Sequence, residues 1–268
     1  MDARVRSLLY DEPRLYDLVF PDAGDSMGRM CREAFARYLS APPGSILDIG
    51  CGTGRLLEIL AATIGECWGV DYAGSNVAYA RSARPQLTVR QGDMRTVRLG
   101  RRFDVVTCFG NALSYALTDG DLARTAESFA AHAHLGSLLM VDVLNARCYL
   151  EGDGFRERID GSVDTPEFRA TSVSTHSLDR SARLLRRTRV WSIPGREEVE
   201  DYAEYRLLYP EELQGLLEAA GFEIVGMYDN RDFRATDLTG QAAAASDVGG
   251  MGGRKLYTFA LKRRGAPW

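Results

Sequence analysis

The sequence predicts an α/β fold, a Rossmann-like sheet with helices on both faces, and two observations carry that reading. Between Ser45 and Asn145, short apolar runs alternate with amphipathic segments, the pattern of strands joined by helical crossovers. Where the first run ends stand Gly50, Gly52 and Gly54, at the strand end where an open parallel sheet takes its ligand. Crossovers of this kind are right-handed, so five strands by residue 145 imply a doubly wound sheet.

Each element has its own justification. Residues 1–20 read as a helical opening that carries Tyr10, Tyr16 and Phe20 and is broken at Pro13. Over 25–40, Met27, Met30, Cys31, Ala34, Phe35, Tyr38 and Leu39 recur at helical spacing, which leaves one wet and one dry face. Pro42, Pro43 and Gly44 stop that helix. A buried strand follows at 45–50, then an amphipathic helix at 55–65. Strands at 67–71, 87–93, 101–110 and 136–145 are separated by helices at 76–83 and 122–134.

The alternation lapses over 150–205, where antiparallel strands are expected, with turns at Asp179–Ser181 and Pro194–Gly195. It resumes with a helix that has Pro210 at its start and Gly221 at its end. Strands at 222–228 and 255–263 close the fold, and the glycine-rich 239–253 is expected to be a loop. The organisation is a helical N-terminal segment at 1–44, a ligand-binding core at 45–148 and 206–268, and an inserted antiparallel cap at 149–205.

Composition narrows the function classes. The chain has 268 residues, 45% hydrophobic and 26% charged, which excludes a disordered chain, a collagen-like chain and a disulfide miniprotein. The net charge of −4 gives no basic field for nucleic acid. No apolar run is long enough to span a membrane, and the charged N-terminus lacks the pattern of a leader, so the expected location is cytoplasmic. Five cysteines without a CxxC read as reduced, mostly buried thiols. His132 and His134 form an HxH expected at the end of a surface helix, with no third ligand nearby, so no metal site is expected.

The chemistry concentrates at strand ends. Leu47-Asp48-Ile49-Gly50-Cys51-Gly52-Thr53-Gly54 is a strand, a glycine turn and a helix start. Its spacing is GxGxG, whereas dinucleotide sites use GxGxxG. Asp71 closes the second strand, where a carboxylate accepts both hydroxyls of a ribose. Asp93 follows the third strand, placed to accept from an exocyclic amine such as that of adenine. With no cluster of cations for phosphates, a nucleoside-like ligand fits.

These residues resemble the class I S-adenosylmethionine-dependent methyltransferases. The resemblance implies a seven-stranded sheet whose seventh strand, at 255–263, is antiparallel and inserted between strands five and six. It implies S-adenosylmethionine as cofactor, with Asp48, Gly50, Cys51, Gly52 and Gly54 cradling its methionine and ribose. It puts Asp71 and Tyr72 at the ribose, and Asp93 and Met94 at the adenine. Cys108-Phe109-Gly110-Asn111-Ala112-Leu113-Ser114-Tyr115 further resembles two small-molecule groups, the deoxyaminosugar N,N-dimethyltransferases and the glycine/sarcosine N-methyltransferases. Both carry an antiparallel lid after strand five, and both usually place a histidine where this chain has Tyr115. Asn111 and Asn145 match the glycine/sarcosine pattern as substrate contacts, but Leu144 replaces its carboxylate-binding arginine, which argues against glycine as the acceptor. Phe109 belongs to the cofactor wall, and Tyr10 and Tyr16 to a segment folding over the cofactor.

The implied activity is methyl transfer to a nitrogen or oxygen of a small molecule, such as a natural-product or aminosugar acceptor. Such transfer needs alignment and exclusion of water, and a base only where the acceptor arrives protonated. Tyr115 and His176 are the candidates that orient or deprotonate it. Tyr115 suits hydrogen-bonded positioning better than proton removal. Arg183, Arg186, Arg187 and Arg189 read as a charged, solvated strand edge or a site for an anionic acceptor. Competing readings are a non-methyl transfer or ring closure with the same cofactor, a nicotinamide-dependent oxidoreductase, and a non-catalytic binder. No nucleic-acid or membrane partner is expected. Lid strands can pair subunits, so a monomer or a homodimer is expected.

Overall fold

A computed structural model describes residues 5–21, 23–234 and 251–264. Its central sheet contains β2 (Ser45–Ile49), β3 (Glu66–Asp71), β4 (Thr88–Gln91), β5 (Phe103–Cys108), β6 (Ala133–Leu144), β11 (Phe222–Tyr228) and β12 (Lys255–Lys262), in the order β11-β12-β6-β5-β2-β3-β4. β12 runs antiparallel between β6 and β11, as the resemblance implied.

Both faces of this sheet are buried, and the strands divide their side chains between them by simple alternation. On β6, Leu139, Val141 and Val143 join Phe129 of α6 (Asp119–Ala131) and Leu213 and Leu217 of α8 (Pro210–Ala219). Leu138 and Met140 face the other way, toward Ala34 of α3 (Ala23–Tyr38), Leu57 of α4 (Arg55–Leu60) and Val77 of α5 (Gly74–Ala83). Each such fully buried leucine contributes about 2 kcal/mol of transfer free energy. The short α4 stops well before residue 65, where the amphipathic spacing suggested it would reach.

A second, wholly antiparallel sheet is formed by β7 (Arg158–Asp164), β8 (Arg169–Asp179), β9 (Leu184–Ser192) and β10 (Val199–Arg206). The N-terminus adds β1 (Val5–Arg6) beside β10, so the opening is not helical throughout. It continues as α1 (Leu8–Asp11) and α2 (Pro13–Val19), whose Leu8, Leu9 and Leu15 pack against Ala170 and Trp191 of the second sheet and Phe168 of the β7–β8 turn. A short α7 (Ala146–Leu150) links β6 to that sheet.

His132 is a buried residue capping α6: its Nε2 accepts from the backbone N–H of Leu99, and Nδ1 faces the carbonyl of Ser128. His134 lies inside β6. The HxH thus starts at the end of a helix, as expected, but His132 is covered by the loop carrying Leu99 and His134 already belongs to the strand that follows. All five cysteines are buried free thiols. Most of the expected loop at 239–253 lies outside the described residues.

Candidate functional site

The glycine turn leaves β2 at its carboxyl end. Gly50 and Cys51 both donate backbone N–H bonds to Val70, at 2.7 and 3.0 Å, so the turn is sewn to the end of β3. Gly50 has φ +84°, and a Cβ there would stand 2.7 Å from that of Ala112. Gly52 has φ +54°, but a Cβ on it would meet nothing within 4 Å. The first glycine is required by its neighbour; the second leaves room beside the backbone for a ligand.

That room opens into a cavity of about 560 Å³ along the carboxyl edge of the sheet. From the core, Asp48, Gly50, Cys51, Gly52, Asp71 and Tyr72 line it, followed by Asp93, Met94 and Phe109. Tyr10 and Tyr16 enter from the N-terminal segment, and Asn111 and Tyr115 from the turn after β5. Three singled-out residues are not in its wall. Gly54 instead caps α4. Asn145 is wholly buried, capping α7 and donating to the carbonyls of Met251 and Gly253. His176 lies on β8 opposite Arg187, its Nδ1 buried without a partner, and burial together with Arg187 lowers its pKa. Asn145 is absent from the wall because α7 consumes it as a cap, whereas His176 shares the face of Arg187 but sits one strand farther out, on β8.

The carboxylates differ in their commitments. Asp71 accepts from Ala73 N–H at 2.9 Å and Asn76 at 3.1 Å on one oxygen, and from Gly52 N–H at 2.8 Å on the other. Burial raises its pKa against those bonds. Of about four acceptor positions on a carboxylate, one remains open, on the oxygen facing the glycine turn. Asp93 is gripped by Arg95, whose Nε and Nη2 donate at 2.9 and 2.6 Å, and this contact holds its pKa below the ordinary value. Asp48 accepts from Thr107 at 2.7 Å, yet burial, followed by repulsion from Asp71 and Asp142, pushes its pKa up to about 7. Asp142, fully buried, holds Lys255 at 2.8 Å and the backbone N–H of Asn111 at 2.7 Å.

At the opposite side of the cavity three phenols meet. The hydroxyls of Tyr10 and Tyr115 are 3.0 Å apart, and Tyr115 donates to Tyr205 of β10 at 3.3 Å. Burial, then its tyrosine neighbours, pushes Tyr115 well above its ordinary pKa, so it is a neutral phenol. Asn111 holds φ +63°, and its side-chain oxygen is buried without a partner.

Arg186, Arg187 and Arg189 of β9, with Arg183 just before it, do not form a solvated edge, because β9 is interior to its sheet, between β8 and β10. Arg183 pairs with Glu212, Arg186 with Glu204, and Arg189 with the fully buried Asp201. Arg187 lines the cavity, lies over the Tyr205 ring, and has no carboxylate partner among the described residues. Tyr205, Arg95 and Arg187's isolation were not read from the sequence. The alternation of Ala203, Tyr205 and Leu207 could have marked an inward face, but not what it faces.

Among known proteins, residues 46–136 match the methyltransferase domain family. The chain is 35% identical over 130 residues to a Streptomyces fradiae dTDP-3-amino-3,6-dideoxy-alpha-D-glucopyranose N,N-dimethyltransferase, covering 48% of this chain and 51% of that one. A Saccharopolyspora spinosa dTDP-4-amino-2,3,4,6-tetradeoxy-D-glucose N,N-dimethyltransferase is 29% identical over 220 residues, 79% of this chain and 85% of that one. The first of these alignments thus spans only about half of the relative's length, and the second most of it. In fold, the chain resembles Streptomyces venezuelae DesVI, with a TM-score of 0.74 at 23% identity over 94% of this chain and 98% of that one.

Proposed function

We propose that the chain is a class I S-adenosylmethionine-dependent methyltransferase and that it methylates the amino nitrogen of a small aminosugar-like acceptor. The observation that carries this is one cavity holding both halves of such a reaction. At one side are the open space beside Gly52 and the free acceptor position of Asp71. At the other are the unpartnered Asn111 oxygen and the phenol row of Tyr10, Tyr115 and Tyr205.

The residues fit the family's cofactor. A Cβ-free backbone lies next to a carboxylate with one remaining acceptor position, which suits one ribose hydroxyl rather than both. Asp93, satisfied by Arg95, serves the adenine end by shape and by its remaining polarity. When bound, the cofactor supplies a methyl carbon already activated by a sulfonium. The Asn111 oxygen accepts an N–H of the acceptor and so turns the nitrogen lone pair toward that carbon. Tyr115, neutral, donates or accepts a positioning hydrogen bond rather than removing a proton. His176 and Asn145 have no part in this assignment. Segments 1–44 and 149–205 serve as the cap that excludes water, a role supported by the β1–β10 pairing between them.

Arg187 supports a finer reading of the acceptor. An unpaired guanidinium in a cavity wall suits a phosphate or carboxylate, as in the nucleotide-linked aminosugars named for the two relatives. The test is incubation with S-adenosylmethionine and a dTDP-linked aminodeoxysugar, with mass detection of added methyl groups. Methylated sugar with S-adenosylhomocysteine release is the expected result. Release of neither, with the cofactor bound, would overturn the acceptor assignment. Failure to bind S-adenosylhomocysteine at all would overturn the site.

A further inference from the structure

We propose that Asp17 is a positioning residue of the cofactor site: from α2 it fastens the N-terminal segment across the glycine turn, and this fastening sets how long the cofactor stays bound. The proposal rests on the cofactor reading above.

The N-terminal segment touches the rest of the molecule along two seams of different chemistry. Toward the second sheet the seam is mainly apolar, with Leu8, Leu9 and Leu15 packed on Phe168, Ala170 and Trp191, flanked by the surface pairs Arg14–Glu167 and Glu12–Arg196. It is pinned there by the backbone N–H of Leu8, which donates to Asp201 at 2.6 Å. Toward the glycine turn the seam is polar and centres on Asp17. Thr53 donates its hydroxyl to Asp17 Oδ1 at 2.7 Å, Arg84 donates Nη2 to Oδ2 at 2.9 Å, and Tyr79 approaches the same oxygen at 3.4 Å. Arg55 stands 3.9 Å from the carboxylate and donates to the carbonyls of Asp17 and Phe20 at 3.1 and 2.6 Å.

Thr53 is the residue clamped. Its hydroxyl is held by Asp17 from the N-terminal segment, and its carbonyl by Arg84 Nη1 at 3.0 Å from the core. Thr53 is 3% exposed, and the Arg84 and Asp17 side chains are 8% and 18% exposed, so these charge-assisted bonds are largely shielded from water. Between the two seams the same segment places Tyr10 and Tyr16 on the cavity wall. A ligand under those rings cannot leave until a seam parts. Apolar packing is non-directional and spread over several residues, whereas the polar seam hangs on directional bonds, those of the Asp17 carboxylate and those Arg55 gives to backbone carbonyls. The seam at Asp17 is therefore the one that opens, and the N-terminal segment travels with the second sheet.

Loss of Asp17 need not unfold the chain. Arg84 keeps Glu58 at 2.7 Å and the Thr53 carbonyl, so no buried cation is left without an anion. Asp17→Asn should release S-adenosylhomocysteine about tenfold faster or more in stopped-flow displacement, the size of one charge-assisted hydrogen bond. Its association rate should be unchanged or higher, and its ligand-free melting temperature should stay within about 4 °C of the parent. Thr53→Val, which removes one donor and keeps the Arg84 pair, should show a smaller effect in the same direction. In the parent, S-adenosylhomocysteine should slow amide exchange across Leu8–Val19; in Asp17→Asn it should slow it less. A merely structural carboxylate would lower the melting temperature and leave the dissociation rate untouched, and that result overturns the proposal. Parent-like dissociation from both variants overturns it as well. A parent that binds no S-adenosylhomocysteine would remove the cofactor reading itself, whereas a parent that binds tightly with no effect of Asp17→Asn would remove only the fastening.

Discussion

The hydroxyl of Tyr115 donates to that of Tyr205 across 3.3 Å, with the two rings 5.0 Å apart and tilted by 43°. Tyr115 belongs to the turn after β5 of the central sheet and Tyr205 to β10 of the second, so this pair joins the two sheets over the cavity. Tyr10 completes the row from the N-terminal segment. Three separate stretches of chain thus meet at one hydroxyl, on the side of the cavity assigned to the acceptor.

Replacing Tyr115 by Phe removes that hydroxyl and keeps the ring. Turnover should fall about tenfold, the worth of one positioning hydrogen bond, and S-adenosylhomocysteine affinity by a smaller factor. Steady-state rates with calorimetry check both, and parent-like turnover would take Tyr115 out of the mechanism.

Two glycines should separate binding from folding. Gly52→Ala, with open space around its Cβ, should weaken S-adenosylhomocysteine binding while costing about 1 kcal/mol of stability from its positive φ. Gly50→Ala meets the same penalty and also the side chain of Ala112, so its melting temperature should drop further. Equal losses of stability in the two variants would contradict this division.

Asp48 gives a pH dependence of known sign. Its folded-state pKa, about 7 because of burial first, lies above the ordinary 3.8. Between those values the folded chain holds a proton that the unfolded chain releases, so stability is full below about pH 4 and is lost as pH rises through 7. Asp48→Asn carries no such proton. Its stability relative to the parent should therefore grow by about 1–3 kcal/mol from pH 5 to pH 8. Denaturant unfolding at the two pH values measures it, and a constant difference would show that Asp48 ionises normally.

Asp201 contrasts with Asp17. It is fully buried and takes the N–H of Leu8, the indole N–H of Trp191 at 2.9 Å and the guanidinium of Arg189. Asp201→Asn leaves that guanidinium buried without its anion, and the expected loss is about 3–5 kcal/mol. A large fall in ligand-free melting temperature is the expected outcome, and an unchanged one would place Arg189 in water.

Much of the fold is legible residue by residue. Strand alternation at 45–49 and 136–145, the 3.6-residue spacing of α3, and Pro210 and Gly221 bracketing α8 are local signals. Neighbouring side chains along one strand or helix are enough to decide them. The strand-end residues Asp48, Asp71 and Asp93 follow from the same logic, because a parallel sheet delivers all its carboxyl ends to one edge. Extent was less legible than kind: α4 is shorter than its amphipathic run, and the N-terminus spends two residues as a strand because β10 offers them an edge.

By itself, then, the sequence determined the sheet, its carboxyl edge and the glycine turn that stands there. Only the tertiary structure decided which side chains meet. Asp17 finds Arg84 across 67 residues, Arg187 faces the cavity while its neighbours are paired, and Asn145 is consumed as a cap. Periodicity tells a side chain which face of its own element it occupies. What lies opposite that face depends on segments far away in sequence, and packing alone brings them together.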